Sequence, residues 1–187
     1  MNVEAIAQAL RCALDSETHV NLPGLGTFRR AGAAYEFLPE TKPRVFIAYA
    51  VEDLQLARRL GESLITRGCA PWIDKDQLMP GQDWPRAIES SIRSADAFVA
   101  CFTRRSILKR GQFQCELRYA IDCARQVPLD QEFLIPARLE RCTLPRQIAD
   151  SVQYVDLFPG WERGVKRIAR SVHRAARWRK RVEFTPA

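Results

Sequence analysis

Only two histidines occur among the 187 residues, and none of the six cysteines (Cys12, Cys69, Cys101, Cys115, Cys123 and Cys142) falls in a C-x-x-C pair. A zinc site is therefore not expected, and no resident metal or cofactor is called for. Long apolar runs are also missing. Nothing approaches the roughly 20 residues that a membrane span needs, so no membrane contact is expected. The opening MNVEAIAQAL lacks a basic stretch followed by an apolar one and does not read as a signal peptide. The expected location is the cytoplasm, where scattered cysteines are mostly small buried thiols.

Charge of one sign is lacking over most of the chain. Nine of the 29 Lys/Arg and two of the 22 Asp/Glu fall between Pro159 and Ala187, so this segment carries the entire net charge of +7. The other residues hold 20 of each sign and cancel. A basic end attracts polyanions such as nucleic acid or acidic partner surfaces, and it is equally what a solvated helix face looks like.

What is present is a globular composition, 47% hydrophobic and 27% charged, at a length that suits one domain with a small appendage. The stretch Leu38-Pro39-Glu40-Thr41-Lys42-Pro43 reads as a short linker. Before it, Val3 to Leu14 has Ile6, Leu10 and Leu14 at helical spacing, followed by strand-like segments at His19–Leu22, Thr27–Arg30 and Ala34–Phe37. The expected organisation is an α+β module over 1–38, a linker over 39–43, a main domain over 44–177 and a basic tail over 178–187.

In the main domain, strand and helix patterns alternate. Arg44–Tyr49 is a near-continuous apolar run, as a strand buried on both faces requires. Leu54–Thr66 follows as a helix, then a strand at Ala70–Ile73, a polar loop from Asp74 to Trp84, and a helix from Pro85 to about Arg93. Further strands are expected at Ala95–Phe102, Glu132–Ala137 and Ser151–Leu157, with helices at Gln112–Arg125 and Trp161 to about Arg179. Such alternation predicts βαβ units and an α/β fold: a doubly wound, five-stranded parallel sheet. Ligands in these sheets bind beyond the carboxyl ends of the strands, where strand order reverses.

Three boxes carry a resemblance. Val45 through Asp53 looks like the first box of Toll/interleukin-1 receptor (TIR) domains, usually F-I-S-Y and then a polar pair. Gly68 through Trp84, GCAPWIDKDQLMPGQDW, closely resembles the second strand and BB loop of bacterial TIR domains. Gly111-Gln112-Phe113-Gln114-Cys115-Glu116-Leu117 is similar to the helix bearing the family's catalytic glutamate. The resemblance spans about 135 residues and implies the flavodoxin-like TIR fold. It also implies self-association through TIR domains and, in some members, cleavage of NAD+ at the nicotinamide–ribose bond in bacterial antiphage defence.

On that resemblance Glu116 is the catalytic carboxylate, and NAD+ is a substrate, not a cofactor. Phe46, Tyr49, Trp72, Asp74 and Trp84 are candidates for contacting it. Lys75, Asp76, Leu78, Pro80 and Gly81 would form the assembly loop. Each has a plainer reading: Trp72 and Trp84 as packing, Phe46 as core, Asp74 as a cap of its own loop. Two positions depart from the catalytic pattern: Ala48 stands where Ser is usual, and Gln112 where Trp is frequent four residues before the acid. A second function therefore stays open, that of a non-enzymatic adaptor recruiting other TIR proteins or a nucleic-acid sensor. Val20 to Phe28 is similar to histone-like HU proteins, although the long DNA-embracing arm is absent. This implies a dimerisation or docking role, possible recruitment of a partner defence protein, and less favoured contact with nucleic acid.

Overall fold

The computed structural model describes residues 3–17, 19–22, 25–32, 34–39, 41–73, 83–108, 110–127 and 132–183. The chain divides into two compact units, Met1–Lys42 and Pro43–Ala187.

The first unit holds helix α1 (Val3–Ser16) and strands β1 (His19–Leu22), β2 (Gly26–Ala31) and β3 (Ala34–Pro39). The strands form an antiparallel sheet in chain order. Cross-strand pairing decides its register: Phe28 faces Phe37 with ring centroids 4.5 Å apart, and Arg29 bonds Glu36 at 2.6 Å on the other side of the pleat. Gly32, at φ +64, supplies the left-handed residue that the β2–β3 turn needs.

The second unit runs β4 (Arg44–Ala48), a 3-10 turn (Val51–Asp53), α2 (Leu54–Ile65), β5 (Ala70–Trp72), α3 (Trp84–Ser94) and β6 (Ala97–Phe102). It continues with α4 (Arg104–Leu108), α5 (Gln112–Gln126), β7 (Leu134–Arg138), α6 (Arg146–Ala149), β8 (Val155–Asp156) and α7 (Trp161–Glu183). The five strands pair in parallel in the order β5-β4-β6-β7-β8. This is the doubly wound sheet that the alternating pattern predicts. Strand alternation sends Val45 and Ile47 to one face, against α2 and α7, and Phe46 and Ala48 to the other, against α3, α5 and α6.

Local chemistry sets the boundaries. Helix α2 stops where Gly68 takes φ +77, and its carbonyls are closed by Gly68 N–H to Ile65 O (3.0 Å) and Cys69 N–H to Leu64 O (3.1 Å). Helix α3 begins with the Asp83 carboxylate accepting from Arg86 N–H, with proline in the first turn. The structure adds two short helices, α4 and α6, to the elements expected from the sequence, and it trims the last strand. Ser151 and Val152 donate their N–H groups back to Ile148 O, so the backbone is still turning out of α6, and only Val155–Asp156 pairs with β7. Residues 178–183, read from sequence as part of a tail, continue α7. Of the cysteines, Cys69, Cys101 and Cys142 are buried, Cys123 is half-buried, and Cys12 and Cys115 are exposed.

Candidate active site

From β4 the chain passes through α2 to β5 on one side, while β6 and the later strands build outward on the other. Strand order therefore reverses between β4 and β6, and the segments leaving their carboxyl ends meet there. Thr103, directly after β6, donates its hydroxyl to Asp53 Oδ2 at 2.8 Å. Ser106 closes the turn: Thr103 N–H donates to Ser106 Oγ (2.9 Å), and Ser106 N–H donates to Thr103 Oγ1 (3.2 Å). Thr103 thus caps α4, and Ser106 returns the bond from the third helical position. All three residues are buried. Burial pushes the Asp53 carboxyl up from its ordinary range. The Thr103 hydroxyl pulls it partly back, Glu52 and Glu140 push it further up, and Arg105 pulls it down.

Glu116 lies in the second turn of α5. Phe113, Glu116, Leu117 and Ala120 are spaced i, i+3, i+4, i+7 and form that helix's buried stripe. The helix is anchored to the sheet at its start, where the Phe113 ring meets Phe102, the last residue of β6, edge-on at 5.6 Å. Gln114 Nε2 also donates to Ser106 O at 3.1 Å. Glu116 therefore occupies an inward position near the carboxyl end of β6 and is 4% exposed. It is not turned to solvent. Among the described residues, Asp53 and Glu116 are the buried carboxylates, and an ionised group is rarely kept inside without partners or a task.

A row of rings crosses the Glu116 face of the sheet. Trp72 stacks on Phe46 at 4.7 Å, Phe46 on Phe98 at 5.2 Å, and Phe98 on Phe133 at 6.5 Å. Phe46 is fully buried between two rings and has no face left for a ligand. Trp72, partly buried at the end of the row, keeps part of its surface. Tyr49 is buried among the residues of the opposite face. Trp84 opens α3. Asp74, Lys75, Asp76, Leu78, Pro80 and Gly81 lie outside the described residues. The structure thus brings Glu116, Phe46 and Trp72 to one face and sets Tyr49 on the other.

Residues 45–169 match the family model described as the TIR domain. The chain belongs to the TIR domain family. An uncharacterized protein of Sinorhizobium fredii, y4cD, is 28% identical over 137 residues, a match that takes in 73% of this chain and 21% of that protein. The chain thus spans about a fifth of that relative's length. The TIR domain of the Toll-related receptor TRR-2 from Hydra magnipapillata superposes with a TM-score of 0.58 at 17% identity, covering 69% of this chain and 97% of that one. It is alike in fold. The TIR domains of the activated Roq1 resistosome are more distant, with a TM-score of 0.48 and 16% identity over 60% of this chain and 65% of theirs.

The TIR match begins inside β4 and leaves the first unit outside it. It lends no support to the HU-like resemblance of Val20–Phe28. Within the TIR domain, the sequence singles out neither Thr103 nor Ser106 as a functional candidate, and Asp53 stands out only as one of a polar pair. The T-x-x-S spacing of Thr103 and Ser106 signals a helix cap, yet nothing in the sequence shows that the cap reaches a carboxylate 50 residues away.

Proposed function

We propose that this TIR domain cleaves NAD+ between nicotinamide and ribose, with Glu116 as the catalytic carboxylate. The observation that carries the reading is the placement of Glu116: a carboxylate held on the inward stripe of α5, near the carboxyl end of β6, in a sheet whose order reverses beside that strand. In this chemistry the bond from the anomeric carbon to the nicotinamide nitrogen breaks, and its electron pair leaves with neutral nicotinamide. Positive charge develops on the ribose. A fixed carboxylate in a water-poor setting stabilises that charge and holds the ribose hydroxyls. Water then adds to give ADP-ribose, or a nucleophile within the molecule adds to give a cyclised product.

The reading includes activation by self-assembly through the BB loop, cytoplasmic action, a role in antiphage defence, and the first unit as a docking or dimerisation piece. Trp72, with part of its ring surface free at the end of the aromatic row, is the described residue best suited to stack on a base or on nicotinamide.

The competing reading is a non-enzymatic adaptor. It is favoured by Ala48, fully buried where the family's first box usually carries Ser, and by Gln112 at the start of α5. Purified chain, titrated with a crowding agent to drive association, separates the two. The enzyme reading expects nicotinamide release that rises more steeply than protein concentration. An adaptor associates and leaves NAD+ intact.

A further inference from the structure

We propose that the cleft between the end of α2 and the outer flank of α7 binds the phosphate backbone of nucleic acid, independently of Glu116. The cleft has a volume of about 870 Å³, and its lining includes Thr66 and Arg67 from α2's end and Lys166, Arg170, His173 and Arg177 from α7. Its floor is built. His173 donates Nε2–H to Arg67 O at 2.9 Å, which ties α7 to the end of α2. Arg67 is held by Glu162 at 2.5 Å, and Arg174, also in the lining, by Glu132. Those two carboxylates neutralise one cation each. Lys166, Arg170 and Arg177 are exposed and meet no carboxylate of the described residues, so their charge is available to a ligand.

The occupant follows from shape and charge. Lys166, Arg170, His173 and Arg177 repeat at helical spacing along one row of α7, whose separate apolar stripe (Val165, Ile168, Val172, Ala175) packs in the core. From Lys166 to Arg177 the row runs about 16 Å at 1.5 Å per residue. A strand of nucleic acid advances about 3.4 Å per phosphate, so roughly five nucleotides lie along the row. A free nucleotide would use one end only. The uncharged polar groups of the lining are engaged within the protein, Thr66 Oγ1 donating to Ser63 O at 2.9 Å and His173 Nε2 to Arg67 O, which leaves the exposed cations to meet phosphate and points to sequence-independent binding. The cleft is on the α2/α7 face, opposite the α5 face that carries Glu116.

The test is fluorescence anisotropy of the full chain with a labelled 20-base-pair duplex of arbitrary sequence between 50 and 200 mM KCl. If three cations release counterions, affinity falls with a log–log slope of about −2.7, a loss of roughly 40-fold over that range. The triple variant Lys166→Gln/Arg170→Gln/Arg177→Gln weakens binding by about tenfold or more and flattens the slope, with an unchanged melting temperature because the three side chains are exposed. A matched variant, Arg179→Gln/Lys180→Gln/Arg181→Gln, loses less. Duplex binding that survives the cleft variant overturns the assignment. Saturable binding of ATP or tripolyphosphate without duplex binding overturns it in favour of a small phosphate ligand.

Discussion

Asp53 is the residue whose chemistry is most exposed to experiment. Its carboxyl is pushed above the ordinary range, chiefly by burial, so the fold favours the protonated form more than the unfolded chain does. Stability from this group is therefore fully present below its unfolded pKa and is lost as pH rises through the folded one. Asp53→Asn keeps an acceptor for the Thr103 hydroxyl and removes the titration. Thermal melts of both proteins from pH 4 to 7 are expected to show the wild type gaining on the variant as pH falls. Parallel curves would mean that Asp53 titrates alike folded and unfolded. Gly164 is decided by contact distance. A Cβ there would stand 2.5 Å from Asp156 O and 2.7 Å from Leu157 Cδ2, and the first neighbour is backbone that cannot swing away. Gly164→Ala is expected to cost on the order of 1–3 kcal/mol by overpacking, read from denaturant midpoints.

At the scale of elements, the sequence was most informative where burial leaves little choice. β4 and β6 are buried on both faces and must be apolar almost throughout, so Arg44–Ala48 and Ala97–Phe102 stand out without any partner being known. α6 and β8 depend instead on where a turn releases the chain. Val152 and Val155 look alike in sequence, yet the Val152 N–H goes to Ile148 O while Val155 pairs with Ala137. Pairwise geometry across strands is hidden in the same way. Phe98 is the centre of the aromatic row and fully buried, with ring partners contributed by β4 and by the segment before β7. Phe98→Ala is expected to destabilise the domain by about 3–5 kcal/mol, measured by urea unfolding. At the far edge, Arg138 donates Nε to Asp156 Oδ1 at 2.6 Å and Nη2 to Asp156 Oδ2 at 2.8 Å, with its guanidinium 4.5 Å from the centroid of Tyr154. A lysine cannot reproduce the fork or the stacking. Arg138→Lys is therefore expected to lower the melting temperature by several degrees, and an unchanged value would show that the pair adds nothing to β7–β8 pairing.

For the whole molecule, the two faces of the TIR sheet carry different groups. The α5 face carries a buried carboxylate on an apolar stripe, and the α2/α7 face carries the cationic row. The division is partly visible in the sequence, because the charge excess beyond Pro159 is plain from counting. The apposition of α2's end with that helix is not, since Arg67 and His173 are 106 residues apart. For Glu116, spacing alone reads as an ordinary helical glutamate. What distinguishes it is its register with Phe113, Leu117 and Ala120, which makes it a core position. The most direct measurement is nicotinamide release from NAD+ by the assembled full chain, wild type against Glu116→Gln, with melting temperatures matched to confirm folding. The account predicts release by the wild type and a fall of at least about 100-fold in the variant. Equal release by both proteins, or none from assembled wild type, would contradict it.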